Sequence, residues 1–483
     1  MRARLLLLAA ALAAFGGSLF AGFHLDDYAI FQDPLPRAGS VLRVWPHPLT
    51  HFIDWLNFQV AGQEPLGYHA VNLLLHLGAV LLAYECLRRV LSAKAAVLAA
   101  AIFAVHPLQA EAVDYVAARG AIIAALLCFA ALLAWISGLP WIALAAFAGA
   151  LLADERCALF PVIWLMVGWG GPLGPHGTPS SRSSGVPGPN PGPEGTPQGV
   201  RPGTSPTVSL ALALVLGIAA ALLADAPAHA GSYALAVVAL RFLRLFVLPW
   251  GFTIDPDVHE PLWLTIAAAI GIVAVVAWRW RKLSVDSELS WLLIGLLLLI
   301  PGFSANPAAD PRAYVPVFAF AAAAGLLLAR VPGRALGTGA VVILTLVSVG
   351  RTYVWMSEER LWREAVRRAP GRVEPKIQLA RQLRAADALE LLNRAREQAP
   401  YNSEIPAEIG KVLLDEQQYE GAVDELSRAV ALNPSNALAF NNRGVALAAL
   451  AQFPAAAADF HRALALDPHL EEARENLKRL GVR

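Results

Sequence analysis

The sequence predicts an all-α protein in which a polytopic bundle of membrane helices is followed by a C-terminal α-helical solenoid. The chain of 483 residues is 57% hydrophobic and only 16% charged, with a mean hydropathy of +0.52. This is too apolar for a soluble protein of that size. Long apolar runs recur as far as residue 356, and a repeat of fixed length follows them. The net charge of +1 indicates neither a nucleic acid nor an acidic lipid as partner.

The apolar runs predict the membrane helices. A spanning helix needs about 20 mostly apolar residues, and about eleven runs approach this length, some of them completed by flanking residues. They lie at 5–23, 71–87, 95–105, 121–136, 141–153, 159–169, 208–223, 262–278, 291–303, 315–328 and 340–355. The first run follows the basic start MRAR, so a cleaved signal peptide is an alternative there, although the run is long for one. Cys86, Cys128 and Cys157 lie inside apolar runs and are interpreted as small hydrophobic residues.

Lysine and arginine residues near the helix ends predict the orientation in the membrane. Those that can share one side are Arg2, Arg4, Arg88, Arg89, Lys94, Arg279, Arg281, Lys282, Arg330 and Arg334. That side should be the cytoplasm, provided that the segment 233–249 does not cross, and we therefore predict an interfacial or re-entrant helix there. The N-terminus is then cytoplasmic, and the C-terminal domain is extracytoplasmic, in the periplasm or its equivalent.

Composition divides the chain into four segments. Residues 1–171 hold the first membrane helices and acidic loops on the outer face, and residues 207–356 hold the second set. Between them, 172–206 is dominated by Pro, Gly and Ser, which cannot bury apolar area, so a disordered cytoplasmic linker is predicted. Residues 357–483 form the extracytoplasmic solenoid.

A period of 34 residues defines the solenoid. The pair Ala399-Pro400 recurs as Asn433-Pro434 and Asp467-Pro468, and glycine, aromatic and alanine positions recur at the same offset. Those recurring positions are Gly410 and Gly444, Tyr419 and Phe453, and Ala429 and Ala463. This pattern is typical of tetratricopeptide repeats, in which two helices form each repeat and stacked repeats bind peptides or protein segments.

Ionisable residues are predicted to crowd at the outer face, where several helices end. They are Asp26, Asp27, His106, Glu111, Asp154, Glu155 and Arg312. Pro107 suits the first turn of a new helix, which would place Glu111 and Tyr115 on one face. Each residue alone is more simply explained as a solvated helix end, but their convergence from four loops favours a working cavity.

Seven motifs in register resemble the family of transmembrane and tetratricopeptide repeat-containing protein O-mannosyltransferases and their bacterial relatives. They are 25-LDDY-28, 48-PLT-50, 66-LGYHAVNLLLHL-77, 105-VHPLQAEAV-113 with Arg119, 154-DER-156, 248-LPWGFTIDP-256 and 310-DPRAYVP-316. The resemblance covers nearly the whole chain apart from the linker. The sequence departs from the family pattern at His47, usually Arg, at Asp154, often Lys, and at Gly120-Ala121, commonly polar.

The resemblance implies a GT-C type glycosyltransferase that transfers mannose or another hexose from a polyprenyl-phosphate sugar to a hydroxyl of a protein acceptor. Asp26 matches the family's catalytic acid, and a carboxylate must take the proton of the attacking hydroxyl. The leaving lipid phosphate needs fixed cations. The candidate catalytic residues are Asp26, Asp27 and Glu111; the candidate phosphate-binding residues are Arg312, Arg241 and Arg244; and the candidate substrate-orienting residues are His106, Glu155 and Arg119.

Alternatives remain for several of these residues and for the protein as a whole. Arg241 and Arg244 either hold the phosphate or only snorkel to the lipid head groups, and His106 either hydrogen-bonds the acceptor or phosphate or serves a structural role before Pro107. No cofactor is predicted, and a divalent metal is possible but not expected, because Arg can neutralise a monophosphate leaving group. A glycan or lipid acceptor stays open, as do a membrane-anchored repeat scaffold for envelope assembly and, least favoured, a transporter of lipid-linked sugars.

Overall fold

The computed structural model describes residues 1–28, 47–170, 206–223, 235–253, 262–279, 282–300 and 310–481. The described residues are helical and contain no β-strand, which confirms the predicted all-α class. The chain divides between Ser357 and Glu358 into two compact units. Nearly all of the predicted linker 172–206 lies outside the described residues.

The first unit is a bundle of apolar helices. Its helices are α1 (Arg2–Phe15), α2 (Pro48–Ala61), α3 (Pro65–Val90), α4 (Ala93–Val105), α5 (Ala110–Asp114), α6 (Arg119–Ile136), α7 (Pro140–Ala153), α8 (Val162–Gly170), α9 (Pro206–Leu223), α10 (Leu235–Val247), α11 (Leu262–Arg279), α12 (Glu288–Leu298), α13 (Tyr314–Arg330) and α14 (Ala335–Trp355). Short 3-10 turns join several of them, at Gly16–Phe20, Leu25–Tyr28, Pro107–Gln109, Val116–Ala118, Glu155–Cys157 and Asp310–Ala313.

Four of the described helices are long and apolar enough to cross a membrane, at Arg2–Phe20, Pro65–Val90, Val116–Ile136 and Ala335–Trp355. A fifth span arises if α4 and the segment Pro107–Asp114, which meet at 47°, are counted together. The other apolar helices found have 10–17 residues each. The chain is therefore a multi-pass membrane protein, whereas the predicted number of about eleven spans is not confirmed, because several apolar runs form helices shorter than the full thickness of a bilayer.

The bend after α4 has a local cause. His106 adopts an extended backbone with φ −71° and ψ 130°, as expected for a residue that precedes proline. Pro107 has no N–H to continue the hydrogen bonding of α4, but it fits the first turn of the next helical segment. The new helix predicted after Pro107 is present as a 3-10 turn followed by α5.

Small residues let the central helices of the first unit approach closely. Helix α4 packs against α13, and α6 packs against α3 and α7. A Cβ added to Gly325 would lie 2.7 Å from the carbonyl oxygen of Ala95 and from the Cβ of Ala99. Because glycine and alanine have little or no side chain here, α4 and α13 can approach closely, as is common between membrane helices.

Basic side chains gather where the polar ends of several helices meet. Arg4 and Arg88 both pair with Glu85, at 2.6 and 2.5 Å. Lys94 donates to the carbonyl oxygens of Ala329 and Val331 just after α13. Lys94 therefore places a cation at the C-terminal end of α13, where the helix dipole favours positive charge. Which side of the membrane this end faces stays a prediction.

The second unit is built from helix pairs. Its helices are α15 (Glu358–Arg368), α16 (Glu374–Ala380), α17 (Ala385–Gln398), α18 (Glu404–Asp415), α19 (Tyr419–Leu432), α20 (Ala437–Ala449), α21 (Phe453–Leu466) and α22 (Glu471–Arg479). The recurring glycines explain the period. A Cβ on Gly410 would lie 2.5 Å from Cγ of Leu426, and one on Gly444 would lie 2.7 Å from the ring of Phe460. Each glycine therefore lets the second helix of its pair pack against the backbone of the first.

We predict that Gly444→Ala loosens the α20–α21 pair. The added methyl overlaps the Phe460 ring, so the free energy of unfolding should fall by about 1–3 kcal/mol. Amide hydrogen exchange of the full-length protein in nanodiscs, followed by mass spectrometry, should show faster exchange in α20 and α21. Gly421→Ala is the control, because its new Cβ meets only a terminal methyl of Leu413 at 3.3 Å. Equal protection of both variants would contradict this packing role.

Candidate functional site

The two acids after the first helix have different environments. Asp27 is buried in the 3-10 turn Leu25–Tyr28, where its Oδ2 accepts from the backbone N–H of His24 at 3.0 Å and its Oδ1 from that of Ala117 at 2.7 Å. Burial raises the pKa of Asp27 from 3.8 to about 7, although the two backbone hydrogen bonds and Arg119 lower it. Asp27 therefore ties this turn to the Val116–Ala118 turn.

Asp26 is exposed and lies next to Tyr115. Its backbone N–H donates to the Tyr115 hydroxyl at 3.1 Å, and its side chain also interacts with that hydroxyl. The Tyr115 ring stacks on Trp355, with the ring centroids 5.5 Å apart. Asp26 thus keeps a carboxylate open to solvent while its backbone is held by a fixed aromatic group.

Arg119 lies at the start of α6 and is fully enclosed by polar groups. It donates to Asp54 and Asn57 on α2 through Nη1, at 2.9 and 3.2 Å, and to Asn72 on α3 through Nε, at 3.0 Å. Its Nη2 donates to the carbonyl oxygen of Tyr68. The structure therefore places this predicted substrate-orienting residue inside the protein, where it joins three helices.

A second polar group forms around the 3-10 turn Glu155–Cys157. His47, directly before α2, places its Nε2 2.6 Å from Oε2 of Glu155. Burial lowers the pKa of His47, but the Glu155 carboxylate outweighs burial, so this pKa lies above its ordinary value. Arg156 donates to Asp154 through its backbone N–H and its Nε, at 2.9 and 2.7 Å. Burial raises the pKa of Asp154, but Arg156 outweighs this and holds it below its ordinary value.

Arg312 faces this second group from the turn Asp310–Ala313. It interacts electrostatically with Arg156, Glu111 and Asp154. Its Nε and Nη1 are buried and have no hydrogen-bond partner among the described residues. Burial first, and then the like charge of Arg156, lower the pKa of Arg312 to about 9. A cation in this state favours an incoming anion, because burial has removed its water without supplying an acceptor.

His106 links the bend after α4 to α10. Its ring stacks on Phe246 with a centroid distance of 4.7 Å. Its Nδ1 accepts from the backbone N–H of Leu108, so Nε2 carries the proton that is donated to the carbonyl oxygen of Phe246 at 3.1 Å. Both ring nitrogens are thus used within the protein.

The two arginines of α10 differ in exposure. Arg241 is buried, with its guanidinium 5.6 Å from the centre of the Phe242 ring, whereas Arg244 is exposed. A Cβ on Gly251 would lie 3.5 Å from Arg244 Nη2, so the loop after α10 runs beside this side chain. The exposed side chains Leu248 and Trp250 follow in that loop. The interfacial location of the segment 233–249 stays a prediction.

The segment from Pro107 to Tyr115, which includes α5, carries one member of each polar group. Glu111 interacts with Arg156 and Arg312, and Tyr115 contacts Asp26. The N–H of Tyr115 donates to the carbonyl oxygen of Glu111 at 3.1 Å, which is the helical relation predicted for this pair. The segment from Pro107 to Tyr115 therefore connects the exposed carboxylate of Asp26 with the buried cation of Arg312.

Sequence reasoning missed Arg156 and His47 as members of the site. Arg156 stands within the motif DER, but nothing in the sequence shows that it faces Glu111 and Arg312. His47 was noted only as a departure from the family pattern. Its partner Glu155 lies 108 residues away along the chain, so spacing gave no signal.

Comparison with known proteins finds one repeat family and several partial relatives. Residues 410–451 match a family model described as TPR repeat, which confirms the predicted repeat in that stretch. Human protein O-mannosyl-transferase TMTC1 is 33% identical over 152 residues, which is 27% of this chain and 17% of that protein. Drosophila melanogaster Tmtc1 is 45% identical over 105 residues, 22% of this chain and 12% of that protein. Human TMTC3 is 28% identical over 142 residues. The matches thus span less than a fifth of these relatives.

Solved structures similar to this chain include tetratricopeptide domains. The first such repeat domain of Spaghetti (RPAP3), bound to the HSP90 peptide SRMEEVD, is 27% identical, with coverage of 22% of this chain and 86% of that one and a TM-score of 0.22. Yeast Tom70 is 12% identical, with coverage of 80% and 84% and a TM-score of 0.24.

We predict that Asp27 holds a proton up to about pH 7. Because its pKa is raised from 3.8 to about 7, the folded protein binds a proton that the unfolded chain has already released, and stability falls as pH rises across this window. Infrared difference spectra of wild type minus Asp27→Asn should show a protonated carboxyl C=O band that disappears with a midpoint near pH 7. Asp286→Asn, which removes an exposed acid elsewhere, should leave the Asp27 band unchanged. A midpoint near pH 4 would contradict the burial argument.

Proposed function

We propose that this chain is a membrane glycosyltransferase that transfers a hexose, mannose or another, from a polyprenyl-phosphate donor to a hydroxyl of a protein acceptor. The arrangement that supports this best is the exposed Asp26 and Arg312, whose buried Nε and Nη1 have no hydrogen-bond partner among the described residues, both connected to the short segment that contains Glu111 and Tyr115. One group can take a proton and the other can hold a phosphate. The relatives named protein O-mannosyl-transferase favour the same chemistry.

Asp26 is proposed as the general base. The acceptor hydroxyl attacks the anomeric carbon, its proton passes to the Asp26 carboxylate, and the bond from that carbon to the phosphate oxygen breaks. Asp26 suits this role because it is exposed. Both carboxylate oxygens of Asp27 accept hydrogen bonds from backbone N–H groups, so we propose that Asp27 positions the turn that carries Asp26.

Arg312 is proposed to bind the leaving phosphate. Negative charge grows on the phosphate oxygen as the bond to the sugar breaks, and a buried guanidinium stabilises that charge more strongly than a solvated one. Arg241 and Arg244 on α10 are kept as further candidates for the lipid phosphate. Glu111 interacts with Arg312 and is proposed to orient it or a sugar hydroxyl. His106 and Arg119 are proposed to position the helices that carry these groups.

The second unit is proposed to bind the polypeptide acceptor. A groove in it is lined by residues of α18 and α20, together with Arg381 and Glu472. It mixes the cation Lys411, the carboxylates Glu404 and Glu408 and the amide of Asn442 with the exposed Leu438. Such a surface suits an extended peptide with polar side chains. In this proposal the N-terminus is cytoplasmic and the repeats are extracytoplasmic.

The same groove supports a second candidate, a membrane-anchored scaffold that binds envelope proteins without catalysis. If the protein is a scaffold, neutralising Asp26 should not change the binding of envelope proteins, whereas altering Lys411 or Asn442 should abolish that binding. Under the transferase function, both changes reduce glycosylation, because one removes the base and the other weakens acceptor binding.

We predict that Asp26→Asn lowers sugar transfer by about 10²- to 10⁴-fold, the usual contribution of a general base. Protein in nanodiscs would receive radiolabelled polyprenyl-phosphate mannose, then glucose, with envelope proteins as acceptors. Asp286→Asn is the matched control, because it removes an exposed carboxylate elsewhere. Label on protein with wild type and the control, but not with Asp26→Asn, is the expected result. Transfer by Asp26→Asn at the wild-type rate would exclude this base.

We predict that Arg312→Ala lowers kcat for transfer by about 10²- to 10³-fold, because the cation acts on charge that develops in the transition state. Arg312→Lys should keep part of the activity, since it keeps the charge and loses the guanidinium geometry. Arg334→Ala, at an exposed arginine before α14, is the control. An increase in KM for the donor with kcat unchanged would show that Arg312 binds the donor equally in the ground and transition states and does not act on the developing charge.

A further inference from the structure

We propose that His47, Asp154 and Glu155 form a binding site for one divalent transition-metal ion, Mn²⁺ or Zn²⁺. Each residue offers one ligand atom, and the three atoms lie within 4.8 Å of one another. Among the described residues, this group of His, Cys, Asp and Glu side chains meets that distance condition. His47 comes from the start of α2 and the two acids from the end of α7, so the ion would join two elements that are far apart in sequence.

The donor set determines the class of metal. One imidazole nitrogen and two carboxylate oxygens suit Mn²⁺ and Zn²⁺, whereas Mg²⁺ and Ca²⁺ prefer oxygen ligands alone. Donors bound to one such ion at about 2.0–2.2 Å are roughly 3–3.5 Å apart. Pairs in the group that lie near the 4.8 Å limit would therefore have to close by roughly an ångström, while His47 Nε2 and Glu155 Oε2, now 2.6 Å apart, separate slightly.

The site is partly open to ligands. The side chains of His47 and Glu155 are 32% and 20% exposed, whereas that of Asp154 is 3% exposed. An ion held by three protein ligands on such a rim keeps at least one coordination position for water or a phosphate oxygen, as catalytic zinc sites do. The ion replaces the proton between His47 Nε2 and Glu155, which is released to solvent.

Arg156 serves as the outer support of this site. It contacts both carboxylate oxygens of Asp154, so an ion on Oδ2 requires Arg156 Nη2 and Nε to leave Oδ2, while its backbone N–H and Nε stay on Oδ1. A second interaction that orients a ligating carboxylate is a common feature of metal sites. The released end of Arg156 then lies in the electrostatic range of Arg312.

The ion would add to the positive charge near Arg312, which already interacts with Asp154. If the proposed transfer takes place, the leaving phosphate meets Arg312 and an ion with an open coordination position. This consequence rests on the proposed function, whereas the metal site itself does not.

Binding can be measured without any sugar donor. Full-length protein in nanodiscs is stripped with a chelator and titrated with Mn²⁺, and free Mn²⁺ is followed by electron paramagnetic resonance. We expect one ion per chain, displaced by Zn²⁺, and spin-echo modulation from a directly bound imidazole nitrogen. His47→Ala should abolish the nitrogen modulation, and His47→Ala and Glu155→Gln should each weaken binding by at least about tenfold.

Two controls separate the site from general surface binding. His461→Ala removes an exposed histidine of the repeats and Glu64→Gln an exposed acid before α3, and both should bind like wild type. Wild-type protein that shows no saturable binding of Mn²⁺ or Zn²⁺ would overturn the proposal, as would binding that lacks nitrogen modulation and survives both site variants. Because the assay contains no donor, its failure leaves the transferase proposal intact, and a failure of transfer leaves the metal result intact.

Discussion

The first unit depends on a buried charge that cannot be left unpaired. Arg119 is fully enclosed and draws Asp54, Asn57 and Asn72 to itself from two other helices. Removing one partner of such a buried pair costs about 3–5 kcal/mol, because the remaining charge has lost its water. Arg119 also begins α6, directly after the turn whose Ala117 N–H binds Asp27. Because Arg119 joins three helices and directly follows the Val116–Ala118 turn, it also fixes the turn to which Asp27, the neighbour of Asp26, is bound.

In the proposed transferase, one short segment would separate proton transfer from charge stabilisation. Residues 107–115 present Tyr115 to Asp26 and Glu111 to Arg312, so each group has its own electrostatic environment. Asp26 is open to solvent, whereas Arg312 has lost water without gaining an acceptor. A base and an anion site need these opposite conditions. Residues 107–115, which follow the bend at His106, interact with both groups.

Features that depend on local interactions could be predicted from the sequence, whereas features that depend on contacts between distant residues could not. The repeats were predictable because their constraint is local and periodic: Gly410 and Gly444 recur wherever a neighbouring helix needs the space. The turn after Pro107 was predictable from backbone geometry. The different burial of Asp26 and Asp27 was not, because adjacent acids look alike until Ala117 binds one of them. The number of spans stays unconfirmed, since apolar composition does not determine where a helix ends.

The brevity of α4 would affect lipid where the helix is not covered by protein. Its 13 residues rise only about 20 Å, against a hydrocarbon core of about 30 Å, before the chain turns at His106. Polar backbone at such depth is tolerated only where protein or water covers it, and a bilayer adapts to a short apolar length by thinning. A long-chain lipid substrate beside this helix would therefore find the head-group level drawn inward. Its phosphate could approach the polar groups while its tail stays in the membrane, so no extraction step would be needed.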